Sequence, residues 1–229
     1  MAPRDFPTRL TRRASRAGLA ISDELLGQLE TFYVLLSRWN QKINLTSLSD
    51  PDEAIDRLIL EPLLAARYIS PTATRLMDVG SGGGSPAIPL KLAIPRLHLT
   101  MVEAKARKSA FLREALRQLG LTDTRVETAR TEELLPRPEL HEAFSVLTLR
   151  AVRVETKALH TLQAFLASGG HVLLFRGPSG PPVPNVVIPP LQWQATHPLV
   201  ETLQSRVTIL EKRGIGRVPR VPRGTLPNP

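Results

Sequence analysis

The stretch "RLMDVGSGGGSPAIPL", residues 75–90, decides the fold. "RLMDV" is a short apolar run, four glycines crowd into the five positions 80–84, and Pro86 opens the next segment. A short apolar run closed by glycine reads as a buried strand, and a proline in the first turn reads as a helix start. Glycine at this density means that the backbone turns tightly or is closely approached. The stretch is therefore strand, turn and helix, the opening unit of a parallel sheet whose ligands lie beyond the carboxyl ends of its strands.

The same alternation continues outward. The runs "LHLTMV" (97–102), "RVET" (125–128), "FSVLTL" (144–149) and "HVLLFR" (171–176) are separated by helical segments expected at 86–94, 105–119 and 154–167. Gly120 and the pair Gly169-Gly170 stand where such helices should stop. The pattern predicts a doubly wound α/β fold, a mostly parallel sheet with helices on both faces. Upstream, Leu25, Leu29, Phe32, Leu36 and Trp39 recur at helical spacing behind Ser22, which places Phe32 and Trp39 in the core. Asp50, Pro51 and Glu53 predict the capped start of a second helix, which Pro62 interrupts or restarts. Downstream of a proline-rich connector, "LQWQATHPL" and "RVTILE" predict a closing antiparallel hairpin, with His197-Pro198 weakening its first strand. The resulting division is a basic arm at 1–21, one domain at 22–210 with N-terminal helices at 22–69, and a basic Pro/Gly-rich tail at 211–229.

Composition narrows the function. The chain has 229 residues, 42% hydrophobic and 22% charged, an ordinary globular mix, and nothing in it demands more than a monomer. It lacks cysteine, which excludes disulfides, thiolate metal sites and thiol nucleophiles and fits the cytoplasm. No apolar run approaches the roughly 20 residues of a membrane span, and the five histidines show no metal-ligand spacing. The net charge of +9 lies at the ends: five arginines against one acid in residues 1–17, and six basic residues against one acid in 206–223. Two cationic ends on a neutral body read as a protein that holds a polyanion, here nucleic acid.

Two ligand classes compete for the glycine turn. The dinucleotide pattern Gly-x-Gly-x-x-Gly fails in its third position, Ser85, when started at Gly80, and a start at Gly82 sets Pro86 inside the pattern. A strand-end acid followed by Gly-x-Gly-x-Gly fits without adjustment: Asp78, Gly80, Gly82, Gly84. That form suits S-adenosylmethionine, whose ammonium and sulfonium welcome carboxylate and carbonyl oxygen. Glu103, at the end of the next strand, can accept from a ribose diol in either class. In "ARTEEL" (129–134), backbone groups can border an adenine, or the acids can serve an ordinary first turn.

Taken in order, "WNQKINLT" (39–46), "DVGSGGGSPAIPL" (78–90), "KSAFLREALRQLGL" (108–121), "ARTEEL", "LRAV" (149–152) and "PRVPRGTLPNP" (219–229) resemble the RsmG family, also called GidB, over residues 22–229. The resemblance implies a Rossmann-like class I methyltransferase acting on guanine N7 of small-subunit (16S) ribosomal RNA, with naked rRNA or an assembling subunit as partner. It implies S-adenosylmethionine contacts at Gly80, Ser85, the Thr131-Glu132 backbone and Arg150, with Glu103 in the place of an aspartate. The chain departs from the family where Arg-His-x-x-Asp-Ser is usual: it reads Arg57-Leu58-Ile59-Leu60-Glu61-Pro62. Ser85 stands where a bulky apolar residue is usual, Leu149 replaces a serine, and Arg176 replaces a lysine.

Guanine N7 carries a lone pair and no hydrogen, so its methylation needs no general base. Arg150, at a strand end, is the expected catalytic residue, holding the donor carboxylate or the guanine O6 edge. The alternative is an arginine tied to an acid such as Glu132 to hold the sheet. Lys42, Asn44, Arg57, Arg153 and Lys157 are the expected RNA-facing residues. An NAD-dependent oxidoreductase and a non-catalytic RNA-binding module remain as alternatives.

Overall fold

In a computed structural model, which describes residues 5–47, 50–150, 156–178 and 187–214, the first strand β1 (Arg75–Val79) leads through the glycine turn into α5 (Ala87–Ala93). Ahead of β1 lie α1 (Phe6–Arg16), α2 (Asp23–Ile43), α3 (Pro51–Ile55) and α4 (Glu61–Ala65). After α5 come β2 (His98–Val102), α6 (Ala106–Gln118), β3 (Thr124–Glu127), β4 (Phe144–Arg150), α7 (Thr156–Phe165), β5 (Leu166–Arg176), β6 (Leu191–Pro198) and β7 (Arg206–Lys212). The sheet order is β3-β2-β1-β4-β5-β7-β6. β7 runs antiparallel to both neighbours, and the other pairings are parallel. Successive connections leave β1 toward β2 on one side while β4 packs on its other side. The crevice at their carboxyl ends is thus the switch point where open α/β sheets take ligands.

Alternation along the strands divides the core. Leu76, Val146, Leu173 and Phe175 face the layer of α1, α2, α5 and α6, whereas Met77, Leu147, Val172 and Leu174 face α7. Asp78, Thr148 and Arg150 share the first of these faces by their period of two, and the N-terminal helices close over it. Phe32 is fully buried and Trp39 packs on Phe111 at 5.7 Å, the core role expected of both.

Several expectations are corrected. Residues read as a basic N-terminal arm form α1, whose Phe6, Leu10 and Ala14 are buried on one face. Arg9 donates to Asp52 at 2.6 Å, and Arg13 reaches Asp52 at 2.7 Å and Asp56 at 3.4 Å. Two of the arginines counted toward a polyanion thus bind the protein's own acids, while Arg12 and Arg16 stay exposed. Lys212, read as part of the unpacked tail, is buried: its Nζ donates to Glu142 and to the carbonyls of Gln163 and Leu166. Gly169-Gly170 do not end a helix. α7 stops at Phe165, and both glycines lie inside β5, where a Cβ on Gly170 would meet Leu166 at 2.7 Å. The predicted hairpin is present, and its first strand runs through Pro198. Residues 215–229, the greater part of the tail, lie outside the described residues.

Candidate functional site

Cross-strand pairing sets the site's framework. Asp78 sits opposite Thr148, and Arg150 sits opposite Phe175. The Thr148 hydroxyl donates to Asp78 Oδ1 at 2.6 Å, while Asp78 Oδ2 is buried with no hydrogen-bond partner. Burial pushes this carboxyl up to about 6, against the opposing pull of the Thr148 hydrogen bond and the Arg150 charge.

The glycine turn lies directly above. Gly82 has φ +50° and donates its N–H to Glu103 Oε2 at 2.9 Å, and Lys105 N–H donates to the other oxygen at 2.8 Å. Glu103 therefore fixes the turn to the end of β2, and its remaining lone pairs are what it can offer a diol. Gly84 serves packing: at φ +82° it lies on α5 and α6, where a Cβ would come within 2.7 Å of Ile88 Cδ1.

Pro62 explains a second contact. α3 and α4 are joined by a π-helical turn, Asp56–Leu60, and proline at position 62 has no N–H to give the carbonyl four residues back. That carbonyl, Leu58 O, instead accepts from the Ser85 hydroxyl at 2.8 Å. Two departures from the family pattern, Pro62 and Ser85, thus meet: the carbonyl that Pro62 cannot serve accepts from the Ser85 hydroxyl. Ser85→Ala is expected to cost about 1 kcal/mol, read as a lower urea midpoint with an unchanged slope.

A cavity of about 550 Å³ opens at this switch point, within the range of small-molecule sites. Gly80, Gly82, Ser85, Arg57 and Arg150 line it, so five of the sequence-predicted residues converge there. Asp78 and Glu103 stand behind the wall. Gly84, Thr131, Glu132, Lys42, Asn44 and Lys157 do not line it, and Arg153 lies outside the described residues. Thr131-Glu132 open a short 3-10 turn past β3, where Glu133 accepts from Arg130 N–H as an ordinary first-turn acid. Asn44 ends α2 in the left-handed conformation, a position that asparagine tolerates. Among the lining residues that sequence reading missed are Leu36, Leu45, Lys108, Phe175, Arg176 and Glu61.

Arg150 is the centre of the arrangement. Its Nη1 donates to Glu61 Oε2 at 2.6 Å, and its guanidinium lies 4.7 Å from the Phe175 ring centroid. The acid that holds it is therefore Glu61, not Glu132. Nε and Nη2 of Arg150 are buried and have no hydrogen-bond partner. Burial pulls its pKa down and Glu61 opposes the shift. Two unpartnered donors on a residue that lines the cavity together with the glycine turn fit a ligand carrying a carboxylate or another acceptor oxygen.

Comparison with known proteins bears on the fold and the family. The solved structures of a SAM-dependent methyltransferase from Aquifex aeolicus and of a variant of MtNAS in complex with S-adenosylmethionine share the fold. Their TM-scores are 0.54 and 0.54 at 12% and 13% identity, covering 72% and 91% of this chain and 95% and 98% of theirs. Ribosomal RNA small subunit methyltransferase G of Xylella fastidiosa is 38% identical over 178 residues, 75% of this chain and 78% of that protein. The protein of that name from Roseiflexus castenholzii is 39% identical over 143 residues, 62% of this chain and 61% of its own length. Residues 25–181 match the family model for GidB, described as rRNA small subunit methyltransferase G. The chain belongs to the GidB family.

Proposed function

We propose that this protein transfers the methyl group of S-adenosylmethionine to N7 of a guanine in small-subunit ribosomal RNA. The observation that carries the reading is Arg150, with two buried, unpartnered donors on the wall of the switch-point cavity. The donor, when bound, supplies an electrophilic methyl group on a sulfonium. The chain's own contribution is placement. Gly80 and Gly82 let the main chain lie against the methionine end, Asp78 supplies negative charge behind them, and Arg150 holds a carboxylate or the guanine O6 edge. No side chain need remove a proton, because N7 has none. Alignment of nitrogen, carbon and sulfur then does most of the catalysis, an effect worth on the order of 7 to 11 kcal/mol in favourable intramolecular cases.

Arg57 and Arg176 line the mouth with Lys108, and Arg206 pairs with Arg176 across β5 and β7. These cations, rather than the N-terminal helix, form the RNA-facing rim. The substrate is naked rRNA or an assembling subunit, met in the cytoplasm. Nothing among the described residues favours the oxidoreductase. The test is labelled-methyl transfer from S-adenosylmethionine to small-subunit rRNA and to assembled subunits, with mapping of the modified base. Incorporation at a single guanine N7 is expected. Methylation at another atom, or none with either substrate, would overturn the proposal.

A further inference from the structure

Glu61 is a carboxylate with 2% of its side chain exposed, on the helical layer that caps the sheet, 89 residues from the arginine it pairs with. It stands at the junction where the π-helical turn Asp56–Leu60 gives way to α4. A π turn shifts the helical phase, so residues beyond it face a direction that an unbroken α-helix would not give them, and such turns recur at functional sites. Here the shifted residue is Glu61. Its Oε2 takes Arg150 Nη1 at 2.6 Å, and its Oε1 faces Arg57 Nη1 at 3.6 Å.

The pairing uses only part of what the guanidinium can offer. Arg150 has five N–H bonds, and a facing carboxylate normally takes two of them side by side. Glu61 engages one nitrogen, and the Phe175 ring covers the guanidinium from β5, leaving Nε and Nη2 without partners. Held at one nitrogen and on one flat side, the guanidinium has a fixed plane and two donors in reserve.

We infer that Glu61 is a positioning residue for Arg150: the π turn aims it so that one carboxylate oxygen fixes the guanidinium plane at the cavity wall and leaves Nε and Nη2 uncommitted for the bound donor or base. Arg57 shares the other oxygen, which links the rim of the cavity to the same clamp. The inference rests on the methyltransferase reading and adds to it a residue that acts through another and does not itself touch substrate.

A double-mutant cycle tests it, with donor affinity measured by calorimetry and turnover by labelled-methyl transfer to rRNA. Glu61→Ala is expected to lower turnover by roughly 10- to 100-fold, as losing the partner behind a contact group commonly does. In an Arg150→Ala background the same substitution is expected to change turnover by less than about twofold, because its effect runs through a side chain already gone. Glu61→Gln keeps an oxygen for Nη1 and should retain more activity than Glu61→Ala. If Glu61→Ala does not fold, the cycle is run with Glu61→Gln, whose loss should likewise vanish in the Arg150→Ala background. Wild-type turnover in the Glu61 variant, or losses that multiply in the double variant, would overturn the inference while leaving the function intact. A wild-type chain that neither binds the donor nor transfers a methyl group would remove both.

Discussion

Arg150→Ala lowers kcat/KM for methyl transfer by about 10²- to 10³-fold, the range found when a preorganised donor is removed from a reacting centre. Three features of Arg150 put the effect at this size. It ends β4 on the cavity wall, its Nε and Nη2 are buried without partners, and the Phe175 ring and Glu61 hold its plane before any ligand arrives. The cost of ordering the side chain is thus met in the free protein, which is where preorganisation enters a rate. Removing it also leaves Glu61 facing only Arg57, at 3.6 Å. Breaking one partner from a buried ion pair usually costs several kcal/mol, so stability must be read alongside activity. The control is Arg150→Lys, which keeps the charge for Glu61 and loses the planar fork. That variant is expected to fold with a near-normal urea midpoint and still lose most of its turnover. Full activity in either variant would show that the cavity's reacting end lies elsewhere.

Legibility in the sequence depends on the range of the interactions concerned. The strand, turn and helix at 75–90 are local: apolar run, glycines and proline each act on their own few residues, and Asp78, Gly80 and Gly82 stand where the pattern places them. Arg150 is legible because a strand end is a fixed place in this topology. Glu61 and Thr148 are not, since each matters only through a partner brought near by the fold, Arg150 and Asp78 respectively. The misreading of the N-terminus has the same origin. Counting arginines says nothing of Asp52 and Asp56, which α3 and the turn after it present to α1. A signal is nonetheless there: Phe6, Leu10 and Ala14 recur every four residues, the spacing of a buried helical stripe, and outweigh the charge pattern once counted.

Asp78→Asn is expected to strengthen the empty protein and weaken its hold on the donor. The carboxyl is 1% exposed, takes one hydrogen bond from Thr148, and leaves Oδ2 buried and unpartnered. Its pKa is raised to about 6, against roughly 4 for an ordinary aspartate. Between these values the folded chain keeps a proton that the unfolded chain has released. Stability from this group is therefore complete below about pH 4 and is lost as pH rises through about 6, to a total near 3 kcal/mol. The amide keeps an oxygen for Thr148 and carries no charge, so it removes that loss. It also puts an N–H where Oδ2 stood, which makes about 3 kcal/mol an upper bound. Urea unfolding at about pH 8 should show the variant more stable, and at about pH 4 the two chains should agree. An equal gain at both pH values would mean that ionisation of Asp78 is not what strains the fold. The same charge explains why a destabilising residue stands there: behind Gly80 and Gly82, in a water-poor wall, a carboxylate attracts an ammonium and a sulfonium far more strongly than it would in water. Calorimetry with S-adenosylmethionine is accordingly expected to show at least about tenfold weaker binding to Asp78→Asn, one decade for each 1.4 kcal/mol of attraction lost. A variant both more stable and unchanged in donor affinity would break that link and leave the buried charge without a role.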